Sequence, residues 1–189
     1  MADFITLAEY KKYKDIKRTN KDSRITVLIP QVSAFIKTQT KRTFIDYYGS
    51  PAKVEYFDSN LDTVYPREFP IVGTPVVEYS TDGGVIYAVM TENTDYFIDE
   101  ELGSIYSGTD GLSLNVATNK HKSLKVTYNG GYLTTPEEIK LLSIMLLDYF
   151  TDEQYIESKS INTSTLTTFP PNKLPVHIRQ LLGAHRELL

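Results

Sequence analysis

The chain has no cysteine and no tryptophan among its 189 residues, only three histidines, and no long run of apolar residues. The missing cysteine excludes disulfides, thiol nucleophiles and cysteine-based metal sites, and fits a reducing compartment. The longest apolar stretch, Leu141–Leu147, is far shorter than the roughly 20 residues that a membrane-spanning helix needs. Met1-Ala-Asp-Phe-Ile-Thr6 has neither a basic start nor an apolar core, so no secretory leader is expected, and no membrane partner.

Catalytic signatures are equally scarce. His177 and His185 are eight residues apart, about two helical turns, whereas a shared metal on one helix face calls for a spacing of four. His121 lies in a basic turn between Lys120 and Lys122. Asp95, Asp99, Glu100 and Glu101 cluster, but without the ligand spacing or the turn glycine of a calcium loop. Ser80-Thr-Asp-Gly-Gly84 and Ser107-Gly-Thr-Asp-Gly111 read as turns, because no Lys-Ser/Thr and no helix follow them as a phosphate cradle requires. No serine sits in a nucleophile elbow. No cofactor, metal or catalytic residue is expected.

What is present is tyrosine, 14 residues of it, which suits half-buried strands and contact surfaces because an apolar ring carries a polar tip. Charge is uneven. Residues 1–48 hold ten Lys and Arg against five Asp and Glu, residues 49–135 hold five against twelve, and the net charge is −4. The acidic middle argues against a nucleic-acid-binding face there, and the basic beginning reads as a solvated helix surface.

Thr6-Leu-Ala-Glu9 is a capping box opening a helix to about residue 15, with Leu7, Tyr10 and Tyr13 inward. Ser23 is expected to cap a second helix to about Thr40, where Ile25, Leu28, Ile29, Val32 and Ile36 recur at helical spacing and Pro30 should kink or divide it. Strands are expected at Lys53–Phe57, in a hairpin of Val76–Tyr79 with Val85–Met90, in a pair Asp95–Asp99 with Gly103–Tyr106, and at Leu124–Tyr128. Thr135-Pro-Glu-Glu138 then starts a helix to about Glu157, apolar nearly all round between Leu141 and Phe150. Residues 158–168, seven of them Ser or Thr, read as an extended connector to a short amphipathic helix carrying Leu174, Ile178, Leu181 and Leu182. The fold class expected is α+β: a small bundle of about four helices with an inserted antiparallel β domain and a tethered C-terminal helix. Residues 1–48 and 133–158 form the helical body, 49–132 the β-rich insertion, 159–173 the connector and 174–189 the docking helix.

This order of elements resembles a known family. The residues that carry the likeness are Ile5-Thr-Leu-Ala-Glu-Tyr10, Asp22-Ser-Arg-Ile25 with Ile29-Pro-Gln-Val-Ser-Ala34, Asp95-Tyr-Phe-Ile-Asp99, Val126-Thr-Tyr-Asn-Gly-Gly-Tyr132 before Pro136, and the closing Leu-Pro…Leu-Leu…His-Arg segment. Over nearly the whole chain they resemble the head–tail connector (adaptor, or head-completion) proteins of tailed bacteriophages. The resemblance implies a structural virion protein, in the host cytoplasm before assembly. It implies a ring of about twelve copies beneath the portal protein, meeting a stopper or tail component below, while genomic DNA passes through without specific binding. It implies portal docking by Leu174, Ile178, Arg179, Leu182 and Arg186, and a core and subunit-interface helix bearing Ile139, Leu142, Met145, Leu146 and Tyr149. Asp95, Asp99, Glu100 and Glu101 would form a channel or next-ring loop. Two other readings compete: a monomeric or tail-associated binding module using its Tyr-rich β domain, and a hydrolase using the acidic cluster.

Overall fold

A computed structural model of the chain describes residues 2–58, 63–108, 121–151, 156–158, 167–168 and 174–186. It divides into two compact units, one built from both ends of the chain (Met1–Lys41 and Thr135–Arg186) and one from the middle (Arg42–Thr134). The class is α+β.

The end-built unit is helical. Helix α1 (Leu7–Tyr13) starts at the expected box: Thr6 Oγ1 accepts from the Glu9 amide at 3.2 Å, and Glu9 Oε2 accepts from the Thr6 amide at 2.7 Å. Tyr10 is buried and its hydroxyl donates to Asp148 at 2.8 Å, but Tyr13 is exposed, against expectation, because α1 ends there. Helix α2 spans Asp22–Thr40. Ser23 is inside it rather than at its cap; Lys21 is the N-cap and gives no side-chain hydrogen bond. Nor does Pro30 divide it. Proline leaves the helix without one donor, and Pro30 stands on the exposed side, where water can serve the freed carbonyl. The buried stripe is Ile25, Ile29, Val32 and Ile36.

Helix α3 (Glu137–Thr151) follows Pro136, whose carbonyl accepts the first intrahelical bond from Lys140 at 3.0 Å. Ile139, Leu142, Leu146 and Leu147 are fully buried, and Ile144 nearly so, which covers the helix on several sides as its composition demands. It does not reach Glu157: Ile156–Ser158 is a strand (β8) paired with Thr167–Thr168 (β9). Ile156 in one segment and Thr167 and Thr168 in the other are β-branched, which favours extension over helix. Helix α4 (Val176–Ala184) packs on both α2 and α3. The expected connector, 159–173, lies outside the described residues but for β9, and the Ser107–Gly111 turn lies largely outside them.

The middle unit holds two antiparallel sheets. One has the order β1 (Lys53–Phe57), β7 (Leu124–Gly130), β3 (Ile71–Tyr79), β4 (Ala88–Val89); the other has β2 (Thr63–Val64), β6 (Ser104–Ser107), β5 (Tyr96–Asp99). Strand β7 alternates as its sequence requires, Leu124, Val126 and Tyr128 buried and Lys125 and Thr127 not. These three share one core with Val64, Ile71, Val77, Met90, Tyr96 and Ile105, residues drawn from both sheets. The expected hairpin partner Val85–Met90 contributes only Ala88 and Val89 to a strand, since Ser80 and Asp82 draw the turn wider. Asp82 Oδ1 accepts from the amides of Val85 and Ile86 at 3.0 and 3.1 Å. Strand β3 begins earlier than expected, at Ile71, and passes Gly73 and Pro75 through a register shift between Val72 and Val76. Pro75 offers its carbonyl to the Tyr96 hydroxyl at 3.1 Å, which ties the bulge to the core.

The end of β7 fixes the exit from this unit. Tyr132 N donates to Phe44 O at 2.7 Å and Gly131 N to Pro70 O at 2.9 Å. A Cβ on Gly130 would collide with the Glu68 carbonyl, and one on Gly131, whose φ is +93°, with the Phe44 carbonyl. Glycine is required at both positions because other backbone occupies the space.

Candidate assembly surfaces

Each expected group of residues can be placed. In the docking group, Leu174, Ile178 and Leu182 are buried in the helical unit, while Arg179 and Arg186 are exposed, as are Val176 and His177 beside them. The helix is therefore not merely tethered: its apolar stripe is part of a core, and what it offers outward is mixed, Arg179 and Arg186 beside the apolar Val176. The hydrophobic effect accounts for this, since each such side chain gains about 1.5–3 kcal/mol on full burial and α3 offers apolar surface to receive it.

In the α3 group, Ile139, Leu142 and Leu146 are fully buried, Tyr149 is 6% exposed and Met145 is half-buried. Tyr149 meets Phe150 edge-on at 5.4 Å, and burial raises its phenol pKa. These residues are core of the helical unit.

The acidic group divides. Asp95 Oδ2 accepts from the Thr91 amide at 2.6 Å and Asp99 Oδ1 from the Leu102 amide at 2.9 Å, so both are turn-formers. Glu100 and Glu101 stand exposed at the β5–β6 turn beside Leu102, an apolar side chain 57% exposed. Among the described residues no three His, Cys, Asp or Glu are grouped to hold a metal. His121 and His177 are at the surface, and His185 Nε2 lies 2.9 Å from Glu138 Oε2.

One polar cluster escaped sequence reasoning. Glu68, fully buried, accepts from the Thr43 amide (2.7 Å), the Thr43 hydroxyl (3.0 Å) and the Phe44 amide (3.1 Å), with Lys53 Nζ at 3.4 Å. Arg42, 2% exposed, lays its guanidinium 3.3 Å from the Phe69 ring centroid and donates to the Phe69 carbonyl. Burial lowers the Arg42 pKa, and Glu68 opposes that shift. The Glu68 amide in turn donates to the Tyr128 hydroxyl at 3.1 Å, and that hydroxyl donates to Glu55 at 3.2 Å. Burial first, then the charge of Glu55, keeps the Tyr128 phenol protonated far into the alkaline range. This cluster clamps the 42–47 and 66–70 loops around the Gly130–Gly131 exit. The paired glycines were its sequence signal; the acidic and basic residues themselves looked like ordinary loop charges.

Other surfaces among the described residues are open. On the outer face of the larger sheet, Val54, Thr127 and Val76 form one row and Tyr56, Lys125, Glu78 and Val89 the next, with Lys125 bound to Glu78 at 2.7 Å. At the α1–α2 junction, a basin of about 480 Å3 is lined by Ile16, Lys17, Arg18, Lys21 and Ile25, among others.

Comparison with known proteins completes the picture. A family model described as "Head completion protein" matches residues 3–188. A curated relative, the "Head completion protein" of Escherichia phage T5, is 28% identical over 187 residues, covering 97% of this chain and 98% of its own. Among solved structures, a chain from the neck of an empty GTA particle computed with C6 symmetry superposes with a TM-score of 0.56 at 11% identity, covering 98% of this chain and 91% of that one. A chain from the neck of the native GTA particle computed with C12 symmetry gives 0.54 at 13% identity, covering 100% and 96%. At these identities the structures speak for the fold.

Proposed function

The chain belongs to the head completion protein family, and we propose that it is a structural protein of the virion neck, repeated as a ring beneath the portal and continuing the DNA channel toward the tail. The observation that carries this is the family match over nearly the whole chain, 3–188, joined to a fold shared end to end with neck chains. The role is structural rather than catalytic. The copy number proposed is twelve, in keeping with the C12 symmetry used for one of those necks.

Portal docking falls to the outward face of α4, where Arg179 and Arg186 are exposed beside Val176 and His177. Leu174, Ile178 and Leu182 serve that role indirectly, by holding α4 against the helical unit. The acidic balance of residues 49–135, five cations against twelve carboxylates, suits a channel wall that repels phosphate and lets duplex slide. A stopper or tail component would close the lower side.

The test is electron microscopy of the purified chain mixed with the portal of its own phage, with Arg179→Glu/Arg186→Glu as control. Ring density under the portal is expected for the natural chain and loss of binding for the double variant, with circular dichroism unchanged. A natural chain that stays monomeric and ignores portal would sink the proposal.

A further inference from the structure

The segment between α1 and α2 turns sharply at Asp15, whose φ is +50°, and Ile16 N closes the turn by donating to Lys11 O at 2.9 Å. Ile16 and the buried Ile25 line the resulting basin together with Lys17, Arg18 and Lys21, all three exposed. Two cations at the end of α1 are already neutralised: Lys11 pairs with Asp22 at 2.8 Å and Lys14 with Asp148 at 2.9 Å. Among the described residues, Lys17, Arg18 and Lys21 have no such carboxylate.

The β5–β6 turn has the opposite character. Asp99 pins the Leu102 amide, and Gly103 (φ +66°) sits so close to Phe69 that a Cβ there would collide with it. The turn is thus held in shape and presents Glu100, Glu101 and the apolar Leu102 outward.

We propose that in the ring the Glu100-Glu101-Leu102 knob of one copy seats in the Ile16–Ile25 basin of the next, its carboxylates meeting Lys17, Arg18 and Lys21. This rests on the ring reading above and names the patches that join its copies. A ring closed by rotation needs two unlike, complementary patches on each copy, and these two match in charge and in apolar content. Nucleic acid fits the basin less well, because its lining is partly apolar, which suits Leu102 and gives nothing to a phosphate backbone.

The experiment uses necks assembled on portal from an equal mixture of 14N- and 15N-labelled full-length chain, coupled with a zero-length carbodiimide and read by mass spectrometry. Lys17 or Lys21 joined to Glu100 or Glu101 in mixed-label pairs is expected. Charge reversal supplies the second arm. Glu100→Lys/Glu101→Lys and Lys17→Glu/Arg18→Glu/Lys21→Glu should each weaken ring assembly about tenfold or more at about 0.15 M salt, and the two sets combined in one chain should restore most of it. Rings that form without mixed-label links, or with unchanged yield in both reversed variants, overturn the contact while leaving the ring. Protection of Lys17 and Lys21 by duplex DNA instead of by a neighbour also overturns it. If no ring forms on portal, both readings fall.

Discussion

Removing the Glu68 carboxylate should unfold the middle unit well below its natural midpoint. Glu68→Ala strands the amides of Thr43 and Phe44, which Glu68, itself fully buried, now serves at 2.7 and 3.1 Å. Each stranded donor costs about 1–3 kcal/mol. Lys53 loses a carboxylate at 3.4 Å and the buried Arg42 loses the negative charge that offsets its desolvation. Taking one partner from a buried ionic cluster costs about 3–5 kcal/mol in total, so we expect about 4 kcal/mol. Glu68→Gln keeps an acceptor oxygen but no charge, and should cost about half as much. With 14 tyrosines and no tryptophan, urea unfolding is followed by tyrosine near-ultraviolet circular dichroism. At a slope of about 2 kcal/mol per molar urea, the alanine variant should lose about 2 M in midpoint. Amide exchange at Thr43 and Phe44 gives a local readout and should accelerate in both variants. A midpoint loss under about 0.5 M, with those two amides still protected, would refute the clamp.

Gly131→Ala should destabilise the same unit by about 2 kcal/mol or more, because its φ of +93° and the Phe44 carbonyl both oppose a side chain; equal melting temperatures would contradict this. Ile178→Ala should cost about 2–5 kcal/mol in helical-unit stability, measured by thermal circular dichroism, and deletion of 174–189 should lower it further rather than leave the fold untouched. Thr6→Ala should cost about 1 kcal/mol through loss of the α1 cap, seen as faster exchange of the Glu9 amide. The backbone and side-chain hydrogen bonds of Thr6 lower the Glu9 pKa. The carboxylate's contribution is thus complete above its unfolded value of 4.5 and fades as pH falls through the lower folded value. Glu9→Gln should flatten that acid limb.

Where the sequence was legible, a local rule and the tertiary fold agreed. The Thr6–Glu9 box, the alternation of Leu124, Val126 and Tyr128, and the stripe from Ile25 to Ile36 each carry their own periodicity or cap. Strand β3 was partly hidden because Gly73 and Pro75 erase the alternation that the bulge then repairs. Of the Arg42–Glu68 cluster only the paired glycines left a signal; its charged members are far apart in sequence and polar, and only their burial, which is a tertiary fact, distinguishes them from surface charges. Helix α4 shows the same limit from the other side. Its apolar stripe could be read from the sequence, but not whether that stripe serves its own chain or another.

The division of the chain bears on how it is made. The helical unit is assembled from Met1–Lys41 and Thr135–Arg186, so the apolar stripe of α2 leaves the ribosome long before α3 exists to cover it. At about 5–20 residues per second, synthesis of the intervening middle segment takes on the order of 5–20 s. The middle unit is contiguous and can close on itself during that interval. Its completion brings Arg42 and Thr134, the two ends of one closed unit, under a common framework just as α3 is being made. Synthesis order thereby lets the middle unit close first and leaves the apolar stripe of nascent α2 uncovered until α3 is made.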